Sequence, residues 1–202
     1  MKESWLITSG QGEILPNEIK YIPHKTKNEM GQEINGVTFI SSNIYFKEGE
    51  ITFKVKLGDI WGMCCIYLDQ SLSIFMNCYG KVFGISTSSN ETKKWELLSG
   101  SVDIGQIDID KEYSMKILTR GSHVVLYVND IIAADTTYQL KGDQLVLSFL
   151  SSKEISIKDF NVKSNNPEAF VIMQFSDEYN DLYNELTLLQ RYYDGFIFLN
   201  IV

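Results

Sequence analysis

Between Val37 and Val162 the chain is a succession of short β-type runs broken by Gly, Asn, Asp and Ser, with no window of helical period between them. In Ile51-Thr-Phe53-Lys-Val55-Lys-Leu57 the apolar residues alternate with Thr52, Lys54 and Lys56, so one face of that strand meets a core and the other meets water. Comparable runs cover Met63 to Leu68, Leu72 to Cys78, Val82 to Ser86, Tyr113 to Thr119, Val124 to Val128 and Leu145 to Leu150. Regular spacing of this kind predicts an antiparallel sandwich. Asn129-Asp130 sits between β-formers and predicts a tight hairpin, because both residues tolerate positive φ. Ile155 and Ile157 alternate, but the next apolar residues are Phe160 and Val162, and this slip across Lys158-Asp159 predicts a bulge.

Four stretches carry a family resemblance: Phe46-Lys-Glu-Gly49-Glu50-Ile-Thr-Phe53, Tyr113-Ser-Met115-Lys-Ile117, Val125-Leu-Tyr127-Val-Asn129-Asp130 and Ile155-Ser-Ile157-Lys-Asp159-Phe160. Together they resemble the concanavalin A-like lectin/glucanase superfamily, laminin-G-like domains included, in which an early strand follows a "dGei" turn, a late hairpin reads "yvNg" and a closing strand reads "ikdf". Asp130 stands where Gly is usual. The resemblance implies a mainly β chain with a jelly-roll sandwich over residues 1–163.

Composition changes at the polar breaker of residues 164–167, Ser-Asn-Asn-Pro, which reads as a linker. Ala169 to Phe175 is an apolar strand-like run, and Tyr179, Leu182, Tyr183, Leu186 and Leu189 then recur at helical spacing. Ser176 is the expected N-cap, with Asp177 and Glu178 in the first turn; Gly195 ends the helix and Phe196 to Val202 is a second strand-like run. Ala169-Phe-Val-Ile-Met-Gln-Phe175-Ser176, with Tyr179 and Leu182-Tyr183, resembles the opening of TIR-like nucleotide-binding domains of bacterial effectors. That implies a partial TIR-like segment over residues 168–202, with Phe175, Ser176 and Asp177 at the edge of a nucleotide pocket. The pattern departs from the family after Leu186, and the half that holds its catalytic glutamate is missing. Two apolar strands and one helix are too little to bury Phe170, Phe196 and Phe198, so residues 168–202 are expected either to pack against the sandwich or, as the leading reading, to self-associate into a symmetric dimer.

Eighteen Lys and Arg against 26 Asp and Glu give a net charge of -8, which argues against nucleic acid and anionic membrane as partners. No apolar run is long enough for a membrane span, and Met1 to Gly12 lacks the pattern of a secretion signal. Cys64, Cys65 and Cys78 then read as reduced thiols in a cytoplasmic protein, small buried hydrophobes rather than a disulfide framework. His24 and His123 lie far apart, so neither a metal site nor a cofactor is expected.

Asp108-Ile-Asp110-Lys-Glu112 would present three acids on one face if extended, as a glucanase acid pair requires, but its place before the Tyr113 run suits a solvated turn, and no catalytic residue is assigned. Trp61, Tyr67, Tyr79 and Trp95 are the candidates for ligand contact, a sugar-stacking platform on the concave sheet. The leading expectation is a non-catalytic sandwich that senses a glycan or protein ligand and is coupled to a TIR-like effector segment, which points to bacterial anti-phage defence. A carbohydrate-binding protein is the alternative, and a glycoside hydrolase the third reading.

Overall fold

The computed structural model describes residues 4–88, 95–103, 107–109 and 111–164, all within the unit Met1–Ser164. The TIR-like segment, its dimerisation and the pocket-edge residues Phe175, Ser176 and Asp177 lie outside the described residues. Sixteen strands and no helix are found among the described residues. They are β1 (Trp5–Ser9), β2 (Gly12–Leu15), β3 (Glu18–Tyr21), β4 (Lys25–Lys27), β5 (Glu33–Asn35), β6 (Thr38–Phe46), β7 (Gly49–Leu57) and β8 (Met63–Tyr67). Then follow β9 (Leu72–Cys78), β10 (Lys81–Ser88), β11 (Trp95–Asp103), β12 (Tyr113–Arg120), β13 (His123–Val128), β14 (Ile131–Thr137), β15 (Asp143–Leu150) and β16 (Ile155–Ser164).

Two seven-stranded antiparallel sheets hold most of them. Sheet I runs β1-β6-β15-β8-β9-β10-β11 and sheet II runs β14-β13-β12-β7-β16-β3-β2, while β4 and β5 pair separately. The chain crosses between sheets repeatedly: β6 is followed by β7 opposite, β14 by β15, and β15 by β16. This is an antiparallel β-sandwich, as the strand spacing predicts, and it is of the concanavalin-like, jelly-roll kind that the resemblance implies.

The core lies between the inner faces. Ile40, Ile66, Ile74, Ile85, Leu147 and Phe149 from sheet I meet Ile51, Val55, Ile117, Leu126, Ile155 and Ile157 from sheet II. Each such side chain contributes about 1.5–3 kcal/mol by leaving water. The predicted alternation holds in β7, where Ile51, Phe53, Val55 and Leu57 are buried and Lys54 and Lys56 are exposed. Tyr21 is fully buried, its hydroxyl lying 2.8 Å from the Ser151 carbonyl and 3.0 Å from that of Gly36.

Local expectations are met as well. Asn129 and Asp130 have φ of 49° and 65°, so an Asp fills a left-handed position usually given to Gly. The Asn129 side chain accepts the Ser114 amide at 3.0 Å and ties the turn to β12. In β16 the register against β7 shifts between Lys158 and Asn161, with Asp159 at φ 53°, which is the predicted bulge. The strands before Val37 and the edge strands β11 and β14 have no counterpart in the sequence reading. Much of β1, β2, β11 and β14 faces water, so they lack a long apolar face that would mark them, and β3, with Ile19 and Tyr21 buried, is only four residues long.

Candidate functional site

Sheet I is unusual on its outer face. In β8, Cys64 and Ile66 join the core, which turns Cys65 and Tyr67 outward; in β9, Leu72, Ile74 and Met76 point inward and Ser73, Phe75 and Asn77 outward. Yet Cys65, Ser73, Phe75, Ser86 and Ser148 on this outer face are all buried. The Ser73 and Ser86 hydroxyls satisfy each other across β9 and β10 at 2.8 Å. Gly84 sits beneath: a Cβ there would lie 2.5 Å from the Phe75 ring and 2.7 Å from the Ser99 carbonyl, so only glycine allows this close packing.

Three of the predicted ligand residues meet on this face. Tyr79 and Gly80 form the two-residue hairpin between Cys78 and Lys81, with φ of 51° and 76°. A tyrosine in the left-handed region costs about 1–2 kcal/mol, and such strain is characteristic of functional positions. The Tyr79 ring packs edge-on against Phe75 at 5.2 Å and stacks on Trp95 at 6.3 Å with 30° between planes. Trp95, opposite Ser88 across β10 and β11, also meets Tyr67 edge-on at 5.9 Å. Tyr79 and Trp95 are 40% and 41% exposed, so each offers a ring surface to solvent while its other contacts fix it. Burial pushes the half-buried Tyr67 phenol upward in pKa, with its hydroxyl bonded to Ser148.

The cysteines are free, as expected, but they are not alike. Burial pushes the Cys64 thiol up to about 12. The hydrogen bond between Cys65 and Cys78 drives the buried Cys65 thiol upward and lowers half-buried Cys78 to about 7, with the Tyr79 backbone and hydroxyl assisting at Cys78. Cys64 and Cys65 are buried as the reading of small buried hydrophobes requires, whereas Cys78 is only half-buried, its thiol beside Cys65 and Tyr79.

Trp61 is not part of that trio. It makes no ring contact with Tyr67, Tyr79 or Trp95 among the described residues, and stands 69% exposed beside a cavity of about 390 Å³ lined by Ile34, Asn35, Asp59, Leu150, Ser151 and Ser152. The acids are elsewhere again. Asp108 and Glu112 occupy a turn before β12 in which the Lys111 amide bonds the Asp108 carbonyl at 3.3 Å, and Glu112 reaches Lys158 of sheet II at 3.9 Å. Asp110 lies outside the described residues. The extended acidic strand is thus replaced by the polar turn. Among the described residues no cluster of three or more His, Cys, Asp or Glu could hold a metal ion, and His123 instead faces Asp135 at 3.7 Å.

Asp59, Asn77 and the Cys65–Cys78 pair were not singled out in the sequence. The available signal was the apolar run Met63 to Leu68 and the consecutive apolar Ile74, Phe75 and Met76, which mark strands covered on both faces.

No model of a known protein family matches the chain, and no curated protein matches it. Solved structures do share its fold. The carbohydrate-binding module CBM66 from Bacillus subtilis superposes with a TM-score of 0.60 at 13% identity, covering 79% of this chain and 95% of that one. Crh5 transglycosylase in complex with NAG gives a TM-score of 0.54 at 11% identity, covering 81% and 80%. A Bacillus subtilis protein of unknown function with a galectin-like fold gives 0.54 at 13% identity, covering 78% and 88%. At such identities the likeness establishes the concanavalin-like or galectin-like sandwich; none of these structures carries a TIR-like segment in its description.

Proposed function

We propose that this chain is a non-catalytic glycan-binding sandwich whose ligand lies along Tyr67, Tyr79 and Trp95 on the outer face of sheet I. One observation carries the reading: the half-exposed Tyr79–Trp95 stack, held by a tyrosine in a left-handed turn position. Sugar rings pack their C–H faces on such aromatic surfaces, and the tyrosine hydroxyls supply polar contacts at the rim. Hydrolysis is not proposed. A glycosidase needs two carboxylates flanking one bond, whereas β8, β9 and β10 carry no Asp or Glu; the acids on the strands of sheet I are Asp143 at the start of β15 and Glu96 and Asp103 in β11, with Asp103 tied to Lys81 at 2.6 Å. The ligands of fold neighbours, NAG for the transglycosylase and an oligotetrasaccharide of κ-carrageenan for a carrageenase at TM-score 0.51, suggest the probes.

The test is a glycan array of the intact chain, followed by calorimetry with N-acetylglucosamine and κ-carrageenan oligosaccharides for wild type and Trp95→Ala. Binding that is lost in the variant supports the reading. A net charge of -8 disfavours the sulfated carrageenan and predicts preference for the neutral sugar. The sensor reading, in which the sandwich couples to a TIR-like effector, rests on the Ala169 to Ser176 motif alone; NAD consumption and dimerisation by light scattering are its checks.

A further inference from the structure

We infer that the cavity beside Trp61 is a second sugar subsite, separate from the aromatic trio, which takes one neutral pyranose or furanose ring. The inference rests on the glycan-binding reading and extends it to a different part of the molecule. Its basis is the way the Trp61 turn is held. Between β7 and β8 the chain needs only to reverse direction, and the Gly62 amide closes that turn on the Asp59 carbonyl at 3.1 Å. Two further clamps go beyond this need.

The first clamp is Asp59. Its Oδ1 accepts the Trp61 amide at 2.6 Å, while its Oδ2 accepts the Ser151 hydroxyl at 2.7 Å and the Ser152 amide and hydroxyl at 2.8 Å each. Partial burial opposes ionisation, but these hydrogen bonds outweigh it and hold the carboxyl at about 2, so the group is anionic at neutral pH. The second clamp is Asn77 in β9. Its Nδ2 donates to the Ile60 carbonyl at 2.7 Å and the Gly62 carbonyl at 2.8 Å, one on each side of Trp61. Only the NH₂ end can serve two carbonyls, which fixes the amide orientation. To do so Asn77 takes a φ of 63° and leaves its buried Oδ1 without a hydrogen-bond partner. A buried acceptor left without a partner is unfavourable and marks a position whose geometry matters beyond folding.

What is positioned is an indole 69% exposed to solvent. Around it the cavity combines the apolar Ile34 and Leu150 with a polar rim. Ser152 Oγ donates to Asp59 and keeps acceptor capacity; Asn35 Oδ1 accepts from Lys25 Nζ at 2.7 Å, which leaves the Asn35 amide as a donor. An exposed aromatic ring on a firmly held backbone turn, with a few convergent polar groups and a volume of about 390 Å³, is the make-up of a small-ligand site. The ionised Asp59 at its base selects against uronic or sulfated rings and leaves neutral ones.

Indole N–H resonances of the full chain, ¹⁵N-labelled, separate Trp5, Trp61 and Trp95 once Trp61→Phe identifies its own signal. Glucose, N-acetylglucosamine, fructose, mannose and galactose are titrated in turn. The expected result is a saturable shift of the Trp61 resonance with at least one of them, a tenfold or greater loss of that affinity in Trp61→Ala, and a partial loss in Asn77→Ala with Trp61 still present. A Trp61 resonance that stays fixed while Trp95 moves overturns the second subsite and leaves the trio reading standing. Movement of Trp61 alone upholds the subsite and removes the trio from the ligand surface. If neither moves at saturating sugar, both readings fall.

Discussion

Along β7 of sheet II every second side chain reaches toward water, with Lys54 and Lys56 exposed between buried Phe53, Val55 and Leu57. In β9 of sheet I six of seven residues are buried, and the outward Phe75 is as hidden as the inward Ile74. The outer face of sheet II is finished with ion pairs such as Lys54 with Asp159 at 2.9 Å and Lys158 with Glu112 at 3.9 Å, and with Lys116 over the Tyr127 ring at 4.4 Å. Exposed pairs of this kind are worth little to stability. The outer face of sheet I instead carries paired serines, a thiol pair and an aromatic stack. The first face solves solubility, and the second is a built surface whose packing extends beyond the sandwich core.

The largest test of that contrast is thermodynamic. Phe75→Ala on sheet I is expected to cost about 3–5 kcal/mol in urea unfolding, as for a buried aromatic, while Lys56→Ala on sheet II stays within about 0.5 kcal/mol. Similar costs for both would erase the distinction. Next comes binding: Trp95→Ala is expected to weaken a glycan by about 2 kcal/mol, roughly 30-fold in Kd, and Lys54→Gln with Lys116→Gln to leave it unchanged by calorimetry. A loss in the lysine double variant would move the ligand to sheet II.

Asp59→Asn probes the edge of sheet I. Replacing a charged acceptor of four hydrogen bonds is expected to cost about 1.5 kcal/mol at neutral pH. Because the folded carboxyl lies at about 2, below its ordinary value of 3.8, the wild-type advantage is fully present above pH 4 and fades as pH falls toward 2. Thermal unfolding of the two proteins should therefore converge in acid; a gap that persists at pH 2 would assign the effect to shape rather than charge.

Smaller still, Tyr79→Asn is expected to stabilise the fold by about 0.5–1 kcal/mol, since Asn accepts the left-handed turn more readily, while weakening the ligand. Stabilisation without loss of binding would show that the strain serves no ligand. Last, iodoacetamide labelling followed by mass spectrometry should modify Cys78 with a rise through pH 7 and spare buried Cys64 and Cys65. Equal labelling of Cys65 and Cys78 would show that the outer face of sheet I is open.

The inner faces and the turns were legible in the chain itself. Alternation over Ile51 to Leu57 marks one face, since a strand has a period of two, and the phase slip at Lys158-Asp159 marks the bulge at the same resolution. Asn129-Asp130 announces its hairpin because those side chains tolerate positive φ. Tyr79-Gly80 makes the same kind of turn, yet a tyrosine gives no such announcement, and the turn shows only once its φ is seen. The sequence offered the four candidate ligand residues as one platform, and the structure keeps three of them together and sets Trp61 apart. Tyr67, Tyr79 and Trp95 meet because pairing of β8, β9, β10 and β11 sets their places across the sheet, and a one-residue change of register would turn any of them to the opposite face. Trp61 is nearer to Tyr67 in sequence than Trp95 is, and yet it stands apart, because Asp59 and Asn77 hold its turn toward Ser151 and Ser152 rather than toward the sheet. Period and turn chemistry are local and can be read along the chain; which side chains share a surface depends on strand partners far apart in sequence, and only the tertiary structure decides them.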